Sequence, residues 1–159
     1  MNTSTVSLQR ILWLVGAILS GSVLAQPAVN VAVTGNQISG AGSAVVSLVA
    51  TGIENNVTFT LSWDPAILQY VSDAKGTTVV SYTPNRTQTG SGKLSVQAAV
   101  NPDETYPAGP HPLVTVNFAA VAPSTSTAIA LIDGSTLTPP LARKRVFDAL
   151  GNNITTATF

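Results

Sequence analysis

An antiparallel β-sandwich is the fold class that this sequence predicts, and three observations point to it. Val57, Phe59, Leu61 and Trp63 alternate strictly with Thr58, Thr60 and Ser62, which is the period of a strand with one buried face and one wet face. Short runs rich in Val, Thr, Ala and Ser recur along the chain, separated by Gly, Pro, Asn and Asp. No stretch keeps a helical apolar period over a useful length. The pattern predicts about nine short strands in two layers.

The elements follow in order. Residues 29–33 (VNVAV) alternate and read as a first strand, closed by turn residues at 34–36 and 39–42. Residues 44–50 (AVVSLVA) form a β-branched run, expected to be buried on much of both faces. The strand at 57–63 stops at Asp64-Pro65. Pro has a fixed φ and no N–H, and Asp can accept from the backbone just ahead of it. Ala66-Ile67-Leu68 gives one apolar turn, and the chain extends again from Gln69. Residues 77–82 (TTVVSY) read as a strand, 83–92 as a polar loop and 93–100 (KLSVQAAV) as a strand with Leu94, Val96, Ala98 and Val100 inward. Residues 101–112 carry four prolines and read as irregular loop. Residues 113–121 (LVTVNFAAV) put Val114, Val116 and Phe118 on one face. This strand and 44–50 are the most apolar, so both should lie centrally. Short strands follow at 128–132 and 145–149, the second turning at 151–153 into the last residues.

Composition narrows the function. The chain has 159 residues, a formal net charge of zero and no cysteine. Zero net charge gives no electrostatic case for nucleic acid or an anionic membrane. The absence of cysteine excludes a disulfide framework, a thiolate metal site and a thiol nucleophile. Stability must come from a hydrophobic core, and a domain of this size buries roughly two-thirds of its unfolded surface. Residues 1–25 have the layout of a secretory signal: a polar start with Arg10, an apolar run at 11–19 (ILWLVGAIL), then small residues ending at Ala25. The apolar run is well short of the ~20 residues of a spanning helix. The expectation is a signal peptide at 1–25 and one domain at 26–159, exported to the periplasm or medium of a bacterial host, with no membrane span after cleavage.

Candidate chemistry is sparse. The one histidine, His111, sits between two prolines in a loop. Of the seven acids, Asp64, Asp133 and Asp148 fall at turns that explain them structurally. Asp103 and Glu104 could form half of a calcium site, but no EF-hand-like spacing accompanies them. No cofactor, metal or catalytic residue is therefore expected. Trp63 is in phase with the core residues of its strand. Tyr82 and Tyr106 are the better candidates for an exposed platform that stacks on sugar rings. Arg143-Lys144-Arg145 is the only cluster of charge and reads as a solvated edge that discourages strand-to-strand aggregation. Beyond residue 25, three glycosylation sequons, at Asn56, Asn85 and Asn153, are near chance in so Thr-rich a chain.

Four stretches resemble the cohesin domain, within the wider group of cohesin-like and carbohydrate-binding jelly-roll sandwiches. They are Gly42-Ser43 with the run 44–50; FTLSWDPAIL at 59–68, similar to a strand followed by a "(Y/W)-D-P-x-x-L" corner; Gly109 followed by LVTVNF at 113–118; and VFDALGNNI at 146–154, similar to the family's penultimate strand and turn. The resemblance implies a nine-stranded jelly-roll sandwich. In the best-known members it also implies a docking face for dockerin modules in scaffolds that assemble polysaccharide-degrading enzymes. One departure is that the family continues past this turn with a further strand. Here the last strand is short, the reading frame is truncated, or another chain completes the sheet. No linker, second module or sorting signal is visible.

The expected function is thus an exported, non-catalytic module that binds a dockerin-like protein partner. The wet face of the central strand (Thr58, Thr60, Ser62) and its neighbours Ser95 and Gln97 are the expected docking surface. The alternatives are a carbohydrate-binding module using Tyr82 or Tyr106, with a polysaccharide as partner, and a structural subunit completed by a neighbour's strand.

Overall fold

The computed structural model describes residues 28–121 and 126–159. The signal-peptide expectation for 1–25 lies outside these residues. Eleven strands are present among them: β1 (Asn30–Thr34), β2 (Gln37–Ser39), β3 (Gly42–Ala50), β4 (Glu54–Ser62), β5 (Leu68–Lys75), β6 (Ser81–Asn85), β7 (Lys93–Ala99), β8 (Gly109–Ala120), β9 (Ser126–Ala128), β10 (Ala130–Ile132) and β11 (Arg145–Asp148). The first layer is a four-stranded sheet in the order β1-β3-β8-β5. The second has five strands, β10-β4-β7-β6 with β11 also on β4. The pairings within both are antiparallel. The two layers hold the nine strands expected of the sandwich, and a β2–β9 ribbon adds two more. No helix of the described residues is long and apolar enough to cross a membrane.

The core fills the space between the layers. Val46, Leu48, Val114, Val116 and Phe118 of the first sheet face Val57, Phe59, Leu61, Leu94 and Val96 of the second, all buried. The two most apolar strands, β3 and β8, are central in their sheet, as their sequences require. The expectation that β3 is buried on both faces is corrected: Ser43 and Val49 are exposed and only the alternate positions Ala44, Val46, Leu48 and Ala50 are buried. The outward positions Ser43, Val45, Ser47 and Val49 are none of them buried, so one face of the strand meets the core. Two boundaries also move. Residues 77–80 form a turn, and β6 occupies part of the expected polar loop. The proline-rich loop yields its last four residues to β8, which reaches past the end of β5 and pairs there with β3 alone. A strand proline is tolerated where one neighbour is missing.

The corner after β4 forms as its residues dictate. Asp64 Oδ1 accepts the Ala66 N–H at 2.9 Å, and the Asp64 carbonyl accepts the N–H groups of Ile67 and Leu68. Trp63 is buried, donates its indole N–H to Leu68 O at 3.1 Å, and meets Phe118 of the opposite layer edge-on, with centroids 5.1 Å apart. Gly92 closes the corner with φ 72° and its carbonyl accepting the Trp63 N–H. A Cβ there would run into Trp63 O, so only glycine fits. The last residues return to the first sheet. Val31 N–H donates to Thr158 O and Thr158 N–H to Val29 O, a single parallel bridge on the outer edge of β1.

Two carboxylates fix ends of the layers. Glu54 is fully buried at the start of β4, where it accepts the N–H groups of Thr51, Gly52 and Ile53 and the Thr51 hydroxyl. Burial alone raises its carboxyl, but these donors outweigh burial and hold it below the ordinary carboxylate range. Asp73 lies in the seam between β5 and β6, the outer strands of the two layers. A β-bulge between Tyr70 and Ser72 shifts the phase of β5 and turns Asp73 inward. Its side chain is inaccessible. It accepts the Tyr70 hydroxyl, the Tyr82 hydroxyl at 2.6 Å and two guanidinium N–H groups of Arg86 at 2.7 Å each. Burial raises this carboxyl too, and the same donors bring it below the ordinary range.

Both depressed carboxyls contribute stability that is complete above the unfolded pKa and is lost as pH falls through the folded pKa. Asp73→Asn is expected to cost about 2 kcal/mol at neutral pH, because the donors of three side chains lose a charged acceptor. It should also flatten the acid limb of the stability curve below about pH 4. Urea unfolding of wild type and variant across that range measures both effects.

Candidate docking face

The outer face of the second sheet is a grid set by strand register. Phe147, Asn56, Ala99 and Ser81 lie in one row across β11, β4, β7 and β6. Arg145, Thr58, Gln97 and Thr83 make the next row, and Thr60, Ser95 and Asn85 the third. Every one of these side chains points away from the core, because Val57, Phe59, Leu61, Leu94, Val96, Ala98 and Val146 are the buried alternates.

The structure corrects the expected docking surface in one respect. Thr60 and Ser95 are buried, with 0% and 5% exposure. Residues 134–144 cross the sheet as a strap above them. Thr60 donates its hydroxyl to Ala142 O at 2.8 Å, and Ala142 N–H donates to Ser95 Oγ at 2.9 Å. The Thr58 hydroxyl donates to Arg143 O at 2.9 Å, and Gln88 Nε2 reaches Pro139 O at 3.1 Å. The hydroxyls that read as a wet face in the sequence are the anchors of a covering segment. Ser62 and Thr58 are half-buried, and of the five expected residues only Gln97 is exposed.

The strap leaves open the half of the face that holds Asn56, Ser81, Thr83, Gln97, Phe147 and Arg145, with Ala99 buried among them. Along the first row runs a groove of about 380 Å³, lined by Asn55, Asn56, Ser81, Ala99, Val100, Pro102, Phe147, Asp148, Ala149 and Gly151. Asn55 donates its amide to the carbonyls of Asn101 and Glu104 and so fixes the loop at the groove's end. Asn56 Oδ1 is buried and has no hydrogen-bond partner. A buried amide oxygen without a donor is costly. Asp148 spends its carboxylate on its own turn, accepting from Leu150 N–H, Asn152 N–H and the Asn152 amide. Ile53, Val80 and Leu150, adjoining in sequence the lining strands and turns, are exposed apolar side chains. Sequence reasoning missed Asn56, Phe147 and Arg145 as site residues. The strict alternation through β4 and the register of β11 against it are the signals that place them.

The expected aromatic platform does not form. Tyr106 is fully buried, beside the His111 ring at 5.7 Å, and its backbone N–H donates to Glu54 O. Burial pushes its phenol up. Tyr82 points inward on β6, half-buried, with its hydroxyl on Asp73; burial first, then that bond, raise it. Both tyrosines are held by the interior, which the polar letters around them in the sequence conceal. His111 Nε2 lies 2.6 Å from Pro107 O. Glu104 accepts the Asn101 amide. Among the described residues no three His, Asp or Glu side chains converge as metal ligands.

No family model matches the chain, and no curated protein matches it. Solved structures do. A type II cohesin of Acetivibrio cellulolyticus, solved in a cohesin–X-dockerin complex, superposes with a TM-score of 0.61 at 14% identity, over 83% of this chain and 93% of that one. A type II cohesin domain from the cellulosome of the same organism gives 0.61 at 18%, over 83% and 90%. The seventh ScaB type I cohesin of Pseudobacteroides cellulosolvens gives 0.52 at 16%, over 65% and 74%.

Gly134 sets the height of the strap. A Cβ on it would come within 2.5 Å of Thr60 Oγ1 and 2.7 Å of Ala142 O. Gly134→Ala is expected to cost about 1–3 kcal/mol and to speed amide exchange at Leu141 and Ala142, whose N–H groups bond Gly134 O and Ser95 Oγ. Site-resolved hydrogen exchange measures it; unchanged protection there would mean that the strap does not depend on this contact. At these identities the likeness is one of fold, and the chain has a cohesin-like jelly-roll sandwich fold.

Proposed function

We propose that this chain is an exported, non-catalytic docking module, and that it takes a dockerin-like protein partner on the open half of the second sheet's outer face, in an assembly linked to polysaccharide degradation. The observation that carries the reading is the groove beside Asn56. It is an open polar and apolar cleft on a rigid sheet. Several solved neighbours support it, since they are cohesins crystallised with dockerins. A sheet face is a sound base for docking because its side-chain spacing is fixed by backbone pairing, so little order is lost on binding.

The residues that touch the partner are Asn56, Phe147 and Gln97. Phe147 supplies half-buried aromatic area next to the groove, Asn56 a half-buried amide in its lining, and Gln97 an exposed amide. Truncating an anchor at the centre of an interface costs about 2 kcal/mol or more, a loss of roughly thirtyfold in affinity. The test is capture of a partner from native secreted proteins by the immobilised full chain, at several calcium concentrations, followed by titration of the identified partner. Asn56→Ala and Phe147→Ala are each expected to lose at least that factor, with unfolding midpoints near wild type. Failure to retain any partner, or full affinity in both variants, would overturn the reading.

A further inference from the structure

The strap and β11 give the open face a cationic border that the fold itself does not use. Arg145 is on β11 opposite Thr58, with Val146 buried beneath the sheet, so its guanidinium belongs to the outer face. Arg143 is two residues earlier, at the end of the strap, and exposed, and its carbonyl accepts the Thr58 hydroxyl. Lys144 sits over the Phe159 ring at 5.6 Å. Among the described residues neither Arg143 nor Arg145 forms an ion pair or donates a side-chain hydrogen bond. Six of the seven acids have partners of their own, Glu104 with the Asn101 amide among them, and Asp103 lies in the loop after β7. Glu54 and Asp73 are buried and saturated with donors, and Asp64 and Asp148 cap turns. Asp133 accepts Ser135 N–H; that bond first, and the two arginines after it, hold its carboxyl low without a direct pair. Two unpaired guanidiniums therefore flank an otherwise neutral row, Thr58, Gln97 and Thr83.

We infer that the segment docking here is acidic: a protein partner that sets carboxylates against Arg143 and Arg145 while its uncharged part enters the groove. The inference rests on the docking reading and gives it a sign. Guanidinium forks pair two-pronged with carboxylates, and charges at an interface border set on-rate and partner choice.

The test uses the full chain, ¹⁵N-labelled, titrated with a hexaglutamate peptide, a hexalysine peptide and phosphatidylserine vesicles at low salt. Hexaglutamate is expected to shift the amide signals of Thr58, Gln97, Arg143 and Arg145, with the shifts fading as salt is raised. Arg143→Glu with Arg145→Glu should reduce the affinity roughly tenfold or more, and the Gln pair should fall between. Equal response to hexalysine, preference for the vesicles, or shifts that map elsewhere would overturn the inference. With a captured partner the two readings separate. If Asn56→Ala loses the partner and Arg143→Glu with Arg145→Glu does not, docking stands and the acidic partner falls. If the partner is unaffected by every one of these changes, both fall.

Discussion

The Asp73 carboxylate is the contact on which the closure of the sandwich depends. It belongs to the last strand of one layer and takes hydroxyl and guanidinium donors from that strand, from the last strand of the other layer and from the turn beyond it. Without a disulfide, the seam needs a bond that is strong and directional. A buried charge offers this only if every lone pair is met, since an unmet one costs several kcal/mol. Tyr70, Tyr82 and Arg86 meet it. The result is a fixed spacing between layers at that edge, and the register of β6 against β7 is held with it. Thr83 and Ser81 on the open face inherit their positions from this inner contact.

The same economy of polar groups governs the opposite side of β4. Thr58, Thr60 and Ser95 would be unremarkable on a wet surface. Under the strap they become partners for carbonyls and an amide that would otherwise be buried without any. The strap divides the sheet's outer face, and the division creates the site. Its covered half is interior in all but name, and its open half is bordered by a groove at one end and by guanidiniums along its flank.

Much of the fold was legible in the sequence because most of the determinants are local. The alternation at 57–63, the Asp64-Pro65 stop and the apolar runs at β3 and β8 each specify themselves. What was not legible depends on residues far apart in the chain. The bulge at Val71 reverses the side on which Asp73 falls, and a period-two reading puts Tyr70 and Asp73 on opposite faces. Tyr106 looks exposed among prolines and acids, but its burial depends on Glu54, which is far upstream. Thr60 and Ser95 were chosen for the site on a sound rule of alternation. The rule gives the face and says nothing of what crosses it. Phe147 and Asn56 were overlooked because only the β4–β11 register brings them together.

The strap is tied down through its own peptide groups, Ala142 N–H and the carbonyls of Pro139, Ala142 and Arg143, with the sheet and the loop after β6 supplying the side chains. Most of its own side chains are therefore free of structural duty. Substitutions at Arg143, Thr138 or Pro140 can accumulate over generations without disturbing the β layers, and each one redraws the border of the open face. A scaffold of this kind can in this way alter what its open face meets while its backbone stays superimposable.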